Sequence, residues 1–204
     1  MQTTPGTSLT DGQRAPRRSS SRGTTFIWIP VAAAVCALDQ ATKEWATRAL
    51  VDGSARPVLG EWLQFRLTFN PGAAFSLGTS YTVLLTVVAV VVVVVCIKLA
   101  GRLGSRRWAV ALGLLLGGAL GNLTDRLLRP PGPFRGHVVD FLQLPNWPVF
   151  NVADSAISLA AAAFVFLSLR GIRLDGTRES AGRSDSVSSD QERDGGSTST
   201  SGKA

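Results

Sequence analysis

The stretch PVFNVADSAISLAAAAFVFLSLR, Pro148 to Arg170, decides how this chain folds. From Phe150 to Leu169 it is apolar and long enough to cross a bilayer, which takes roughly 20 residues. Yet Asn151 and Asp154 stand in its first turns, where an ionisable side chain is expensive for a membrane helix and asks for a reason. Helical spacing puts Asn151, Asp154, Ser155, Ser158 and Ala162 on one side, so a polar stripe is expected to face other helices rather than lipid.

Three more apolar stretches precede this one. Helices are expected at about residues 26–47, 81–100, 107–124 and 150–170, with VVAVVVVVVCI (Val87 to Ile97) the plainest of them. Composition agrees: 45% of the 204 residues are hydrophobic, 17% are charged and the mean hydropathy is +0.20. That balance points to a membrane protein. The net charge of +7 does not point to nucleic acid, because the basic residues flank the apolar runs instead of interleaving with aromatics along one face. Cys36 and Cys96 lie singly inside apolar runs and read as packing residues, and His137, the only histidine, reads as a loop residue.

The expected class is a mainly α membrane protein, a four-transmembrane-helix bundle with a small extracytoplasmic β-sheet and an interfacial segment. The Ser/Gly/Arg-rich residues 1–24 and the polar residues 173–204 cannot bury a core and read as disordered tails around a four-span domain, 25–172. A cleaved signal peptide competes for the first apolar stretch, but three further spans favour a retained helix. Arg14, Arg17, Arg18 and Arg22 precede the first span. Lys98, Arg102, Arg106 and Arg107 separate the second from the third, and Arg170, Arg173 and Arg178 follow the fourth. All three sets fall on one side, which predicts a cytoplasmic location for both termini. The loops 48–80 and 125–149 then face outward. In the first, Leu63, Phe65, Leu67 and Phe69 alternate with polar residues as in a strand with one apolar face. In the second, VVDFLQLPNWP reads as an interfacial segment anchored by Trp147.

This topology brings the polar residues of the spans to one depth, the outer leaflet. Asp39 and Lys43 end the first helix, Asn122, Asp125 and Arg126 end the third, Asn151 and Asp154 begin the fourth, and Asn70 shortly precedes the second. Gly113, Gly117 and Gly121 recur every four residues before Asp125, forming a groove for a neighbouring helix. Asp39 and Lys43 read equally well as an ion pair or as chemistry, and Asp125 beside Arg126 reads as a partnered charge. Asp140 and Asp154 have no basic residue beside them or one turn away. Two carboxylates brought together in a partly desolvated site share one proton, so one can activate water while the other protonates. A proton-coupled transporter also needs membrane carboxylates, and both readings stand at this point. A serine/lysine hydrolase using Lys43 with Ser76 or Ser155 is a further competitor; its lysine would be compromised by Asp39.

The stretches DQATK (Asp39 to Lys43), NPGAAFS (Asn70 to Ser76), GNLTDR (Gly121 to Arg126), VVDF (Val138 to Phe141) and FNVADSAIS (Phe150 to Ser158) resemble those of lipoprotein signal peptidase, signal peptidase II, in order. The resemblance covers about residues 26–170. It implies a bacterial inner-membrane aspartic endopeptidase that cuts diacylglyceryl-modified prolipoproteins just before the lipidated cysteine, acting as a monomer with its site at the outer leaflet and using no metal or other cofactor. The implied catalytic pair is Asp140 and Asp154. Asn70, Asn122, Arg126 and Asn151 are implied to hold the substrate main chain or orient the carboxylates, and Asp39, Lys43 and Asp125 to support the site. The stretch LLRPPGPFRG, residues 127–136, is longer than the family pattern implies.

Overall fold

The computed structural model describes residues 26–72 and 80–177. Among them are four helices, α1 (Trp28–Ala49), α2 (Ser80–Ala100), α3 (Arg106–Leu128) and α4 (Val152–Leu169), and three strands, β1 (Arg56–Leu59), β2 (Leu63–Asn70) and β3 (Val138–Gln143). The strands form one antiparallel sheet in the order β1-β2-β3. The tails expected at 1–24 and beyond Thr177, and the candidate Ser76, lie outside the described residues.

Among the described residues, three helices are long and apolar enough to cross a membrane, over Thr82–Ala100, Arg106–Leu128 and Val152–Leu169. The outward surface of α2 carries exposed Val87, Val88, Val91, Val94, Val95 and Ile97, an apolar face that suits lipid and not water. Helix α1 is equally long but carries Asp39, Lys43, Glu44 and Arg48 in its second half. Asp39 and Lys43 are wholly buried against the other helices, whereas Glu44 and Arg48 pair on the exposed side.

Helix α3 packs against α1, α2 and α4, and the glycine row explains why. A Cβ on Gly113 would lie 2.9 Å from the Trp28 carbonyl oxygen, and one on Gly117 2.7 Å from that of Ala32, so the expected groove receives α1 backbone to backbone. Gly118, on the adjacent row, is as close to α4: its Cβ would sit 2.6 Å from the Ala153 carbonyl oxygen. Backbone cannot swing aside as a side chain can. Gly118→Ala therefore lowers stability by about 1–3 kcal/mol, the usual effect of overpacking, read as a drop in Tm in detergent; an unchanged Tm contradicts this helix contact.

The face that α4 turns inward differs from expectation. Asn151 and Ala153, Ala156 and Ala160 are buried, while Ser155, Ser158 and Ala162 are exposed. Small alanines three and four apart let α4 approach the glycines of α3, so close packing set the rotation of the helix and left the serines outside. Of the predicted stripe only Asn151 and Asp154 turn to the bundle.

The sheet is fastened to α1 by an aromatic cluster: Trp45 packs edge-on to Phe65 at 5.0 Å and to Phe141 at 6.2 Å, over buried Ala46 and Leu50. VVDF is strand and not merely interfacial, pairing Asp140 with Thr68 and Val139 with Phe69. The alternation predicted for β2 holds only in part. A register irregularity between Phe65 and Thr68 interrupts the two-residue period, so Phe65 and Leu67 reach the core while Phe69 is exposed. The loop LLRPPGPFRG is tied to its surroundings: Gly136 N donates to Arg126 O, His137 N to Pro130 O and Thr86 Oγ1 to Phe134 O, each at 3.0 Å.

At the other end of the bundle the chain does not stop at residue 172. Leu174 O accepts from Gly104 N (2.9 Å) and Ser105 N (3.2 Å), and Ile172 O accepts from Trp108 Nε1 (2.9 Å). The five residues 173–177, expected to begin a tail, fold back onto the turn between α2 and α3 because that turn offers unsatisfied N–H groups at the start of α3.

Candidate active site

Asp39 and Lys43 stand one turn apart on α1, and Asp125 faces them from the last turns of α3. Lys43 Nζ lies 2.8 Å from Asp39 Oδ2 and 2.8 Å from Asp125 Oδ2, and donates to Asn122 Oδ1 at 2.9 Å. All three charged side chains are fully buried. Asp125 also pairs with Arg129, whose Nε is 2.6 Å from Oδ1, so its partners are Lys43 and Arg129 and not the adjacent Arg126. The reason is helical: Arg129 lies one turn on from Asp125 and shares its face, whereas neighbours in sequence point apart.

The remaining lone pairs of this cluster reach other elements. Asp39 Oδ1 accepts from Ala153 N of α4 (2.9 Å), and Asp125 Oδ2 from Val139 N of β3 (3.2 Å). Gln40 Nε2 adds bonds to Gly121 O (3.0 Å), Asp39 Oδ2 (3.2 Å) and Asp125 Oδ1 (3.4 Å). Buried charges persist only when paired and bonded in this way. The result is a polar knot that fixes α1, α3, α4 and β3 relative to one another.

Beside it lie Asp140 and Asp154, held differently. Asp140, 2% exposed, accepts from Asn70 Nδ2 at 2.8 Å on Oδ2 and from Asn151 Nδ2 at 2.6 Å on Oδ1. Asp154 accepts from Asn122 Nδ2 at 2.8 Å on Oδ1 and from the Asn151 backbone N–H at 3.3 Å on Oδ2. Every one of these donors is a neutral amide. Among the described residues, neither carboxylate forms an ion pair. Asn151 bonds directly to both, and its Nδ2 also reaches Asn122 Oδ1 at 3.2 Å.

The amides cannot turn around. An ammonium can only donate, so Lys43 forces the oxygen of Asn122 toward itself and its NH2 toward Asp154. Asn70 is fixed likewise by Gly72 N, which donates to its Oδ1 at 2.8 Å. Burial pushes the Asp140 carboxyl up to about 7; the negative charge of Asp154 pushes the same way, while the amides of Asn70 and Asn151 and the charge of Lys43 oppose. Arg126 stands within electrostatic reach of Asp140, Asp125 and Asp154, and its buried Nη1 has no hydrogen-bond partner among the described residues.

The sites predicted from sequence thus meet in one cluster, and three of its features were missed. Gln40 and Arg129 belong to the knot. Asn151 is the N-cap of α4 and Asp154 its N3 residue, forming a reciprocal capping box in which Asn151 Oδ1 accepts from Asp154 N at 2.9 Å. The sequence signal was available as N-V-A-D, a capping residue followed three positions later by an acid. It supplies part of the reason for an acid at the head of an apolar helix.

Among the described residues, the pairing of Lys43 with Ser155 does not form; the alternative partner Ser76 lies outside them. Lys43 Nζ is surrounded by three acceptors within 2.9 Å, and Ser155 Oγ donates to its own helix at Asn151 O (3.0 Å).

Residues 31–170 match the family described as Signal peptidase (SPase) II. The chain belongs to the signal peptidase II family. Lipoprotein signal peptidase of Mycobacterium avium (strain 104) is 45% identical over 175 residues, 85% of this chain and 96% of that one. Its counterpart in Streptomyces griseus is 47% identical over 161 residues, 78% of this chain and 82% of that one. A bacterial membrane enzyme solved by the in meso method at 1.9 Å resolution superposes with a TM-score of 0.63 at 26% identity, covering 74% of this chain and 95% of that one. The segment shared with the signal peptidase II family spans the whole polar cluster, from Asp39 to Asp154. As a signal peptidase II the chain is an aspartic endopeptidase of the membrane.

Proposed function

We propose that this protein removes the signal peptide from diacylglyceryl-modified prolipoproteins, cutting before the lipidated cysteine, with Asp140 and Asp154 as a catalytic pair sharing one proton. One observation carries the assignment. In a cluster where Asp39 and Asp125 are ion-paired, Asp140 and Asp154 are held by neutral amides alone, and Asn151 bonds to both. Neutral donors orient a carboxylate without pinning its charge, which leaves it able to take and give a proton. Charge balance supports the same count. Lys43, Arg126 and Arg129 face Asp39, Asp125 and the pair, so a single proton on the pair makes the buried cluster neutral.

Asp140, whose carboxyl is raised to about 7, carries that proton in the resting enzyme. Asp154 accepts a proton from water as the water oxygen attacks the scissile carbonyl carbon, and Asp140 donates its own to the carbonyl oxygen. The tetrahedral diol then collapses: the proton on Asp154 goes to the leaving amine, the C–N bond breaks, and Asp140 recovers a proton from a diol hydroxyl. Arg126, with a buried Nη1 lacking a partner, is the group positioned to hold a substrate carbonyl. Asn70, Asn122 and Asn151 direct hydrogens at the carboxylates, so they orient the pair; Asn122, with both ends of its amide engaged, has little left for substrate.

The transporter alternative has no support from the family. α1 is the fourth span, with Asp39 and Lys43 paired in the knot and Glu44 paired with Arg48 beside it, and the pair sits at the outer leaflet, because Lys98, Arg102, Arg106, Arg107, Arg170 and Arg173 flank the opposite ends of the helices. Both termini are cytoplasmic, and the substrate's acyl chains stay in the surrounding lipid while its peptide reaches the pair. No second copy is required, since one chain supplies both carboxylates.

The test is cleavage of a lipidated precursor by the purified protein across pH. Turnover is expected to fall as pH rises through about 7, where Asp140 loses its proton. The same shift makes folding stability fall as pH rises from the ordinary carboxyl range up to about 7, because over that interval the folded state holds a proton that the unfolded chain has released; above it the loss is complete. Failure to cut the precursor, or a rate indifferent to pH between 6 and 9, contradicts the proposal.

A further inference from the structure

At the end of the bundle remote from the carboxylates, the turn between α2 and α3 and the segment after α4 border an open surface pocket of ≈ 510 Å³ whose lining includes Arg102, Trp108, Ser168, Ile172, Arg173 and Asp175. The walls are held together by the bonds from Gly104 N and Ser105 N to Leu174 O and from Trp108 Nε1 to Ile172 O. The approach is close enough that a Cβ on Gly104 would collide with the backbone of Asp175.

The depth of this pocket is set by the apolar helices around it. α2 ends at Ala100, α3 begins at Arg106 and α4 ends at Leu169, so all three candidate spans terminate here and the pocket opens where hydrocarbon gives way to headgroups. Trp108 fits that level, its ring stacked on Phe164 at 5.4 Å and its N–H bonded to backbone. Exposed Lys98, Arg106, Arg107 and Arg170 stand at these same helix ends, Arg170 lying over the Phe166 ring at 4.8 Å. Asp175 is the acid in the lining; it interacts electrostatically with Arg173, which is thus partnered, and its Oδ1 is also engaged by Thr177 N (2.9 Å) and Thr177 Oγ1 (2.7 Å). Exposed Val110, Phe166 and Leu169 lie on α3 and α4, as an acyl chain running along these helices would require.

We propose that this pocket binds the phosphate of an anionic phospholipid headgroup between Arg102 and Arg173. A planar guanidinium presents paired N–H donors that match phosphate oxygens, and two of them in a pocket at the bilayer surface select an anionic lipid over a zwitterionic one. The inference rests on the helices crossing a bilayer. It is independent of which way they point and of the chemistry at Asp140 and Asp154.

Native mass spectrometry of the full chain released from zwitterionic detergent, titrated with phosphatidylglycerol, phosphatidylcholine or inorganic phosphate, tests it. Phosphatidylglycerol is expected to bind about 10- to 30-fold more tightly than phosphatidylcholine, the scale set by two arginines at a charged lipid surface. Arg102→Gln/Arg173→Gln abolishes that preference, whereas Arg106→Gln/Arg107→Gln, outside the lining, retains most of it. Cleavage of precursor in detergent stays unchanged in Arg102→Gln/Arg173→Gln, showing that it folds; should the double variant not accumulate, Arg102→Gln alone loses most of the preference. Retention of the preference without the two arginines, its absence in the unaltered protein, or equal binding of inorganic phosphate overturns the proposal.

Discussion

Asp140→Asn and Asp154→Asn each slow cleavage of a lipidated precursor by about 10³-fold or more, while the protein stays folded. The substitution is nearly isosteric, so the loss isolates charge and proton. At 140 an amide oxygen can still accept from Asn70 or Asn151, and at 154 it can still accept from the Asn151 backbone N–H. This matters because Asp154 has a competing structural role as the acid of the capping box. If capping were its whole purpose, Asp154→Asn would lower stability by no more than about 1 kcal/mol and leave turnover nearly intact. Initial rates and Tm measured on one preparation separate the two roles: a fall in rate with Tm held supports catalysis, and the reverse supports a cap alone.

Lys43→Met has the largest expected effect on stability, a loss of about 3–5 kcal/mol. Methionine fills much of the same volume but leaves Asp39 and Asp125 facing each other in a buried site, with only Arg129 paired to either. Removing one member of a buried ion network exposes the full desolvation penalty of the rest. Turnover falls as well, since the donor that fixes the Asn122 amide toward Asp154 is gone. Thermal unfolding of the variant in detergent, beside Arg48→Met at an exposed pair on the same helix, checks this. Arg48→Met should change little, because exposed ion pairs contribute at most about 1 kcal/mol. Equal small effects from both would mean that the buried knot does not hold the bundle.

The long elements could be read from sequence because their signal is summed over many residues: the valine run of α2 and the apolar stretch of α4 left little choice. What failed were features decided by single contacts. The β2 alternation predicted Phe69 inside, but a pairing irregularity opposite β3 turned it outward, and register is set by the partner strand. Likewise the rotation of α4 follows which small residues meet Gly118 and Gly121, information that lies in α3 and not in α4. The convergence of Asp39, Lys43, Asn122, Asp125, Asn151 and Asp154 was readable, since helix direction and run length suffice to bring them to one end; Asp140, on a strand, was assigned to them by the family resemblance. Of their pairings, the i,i+4 pair of Asp39 with Lys43 was readable and the others were not. Asp125 chose Lys43 and Arg129 over its neighbour Arg126 because side-chain direction on a helix, and not adjacency, decides who meets.

The central claim is that Asp140 and Asp154 act as one unit on one proton. Single-turnover cleavage by Asp140→Asn, Asp154→Asn and the double variant measures this directly. Because either substitution already destroys the shared-proton state, the double variant should be no slower than the more affected single variant. Losses that multiply in the double variant, or processing that persists in either single one, would contradict the account.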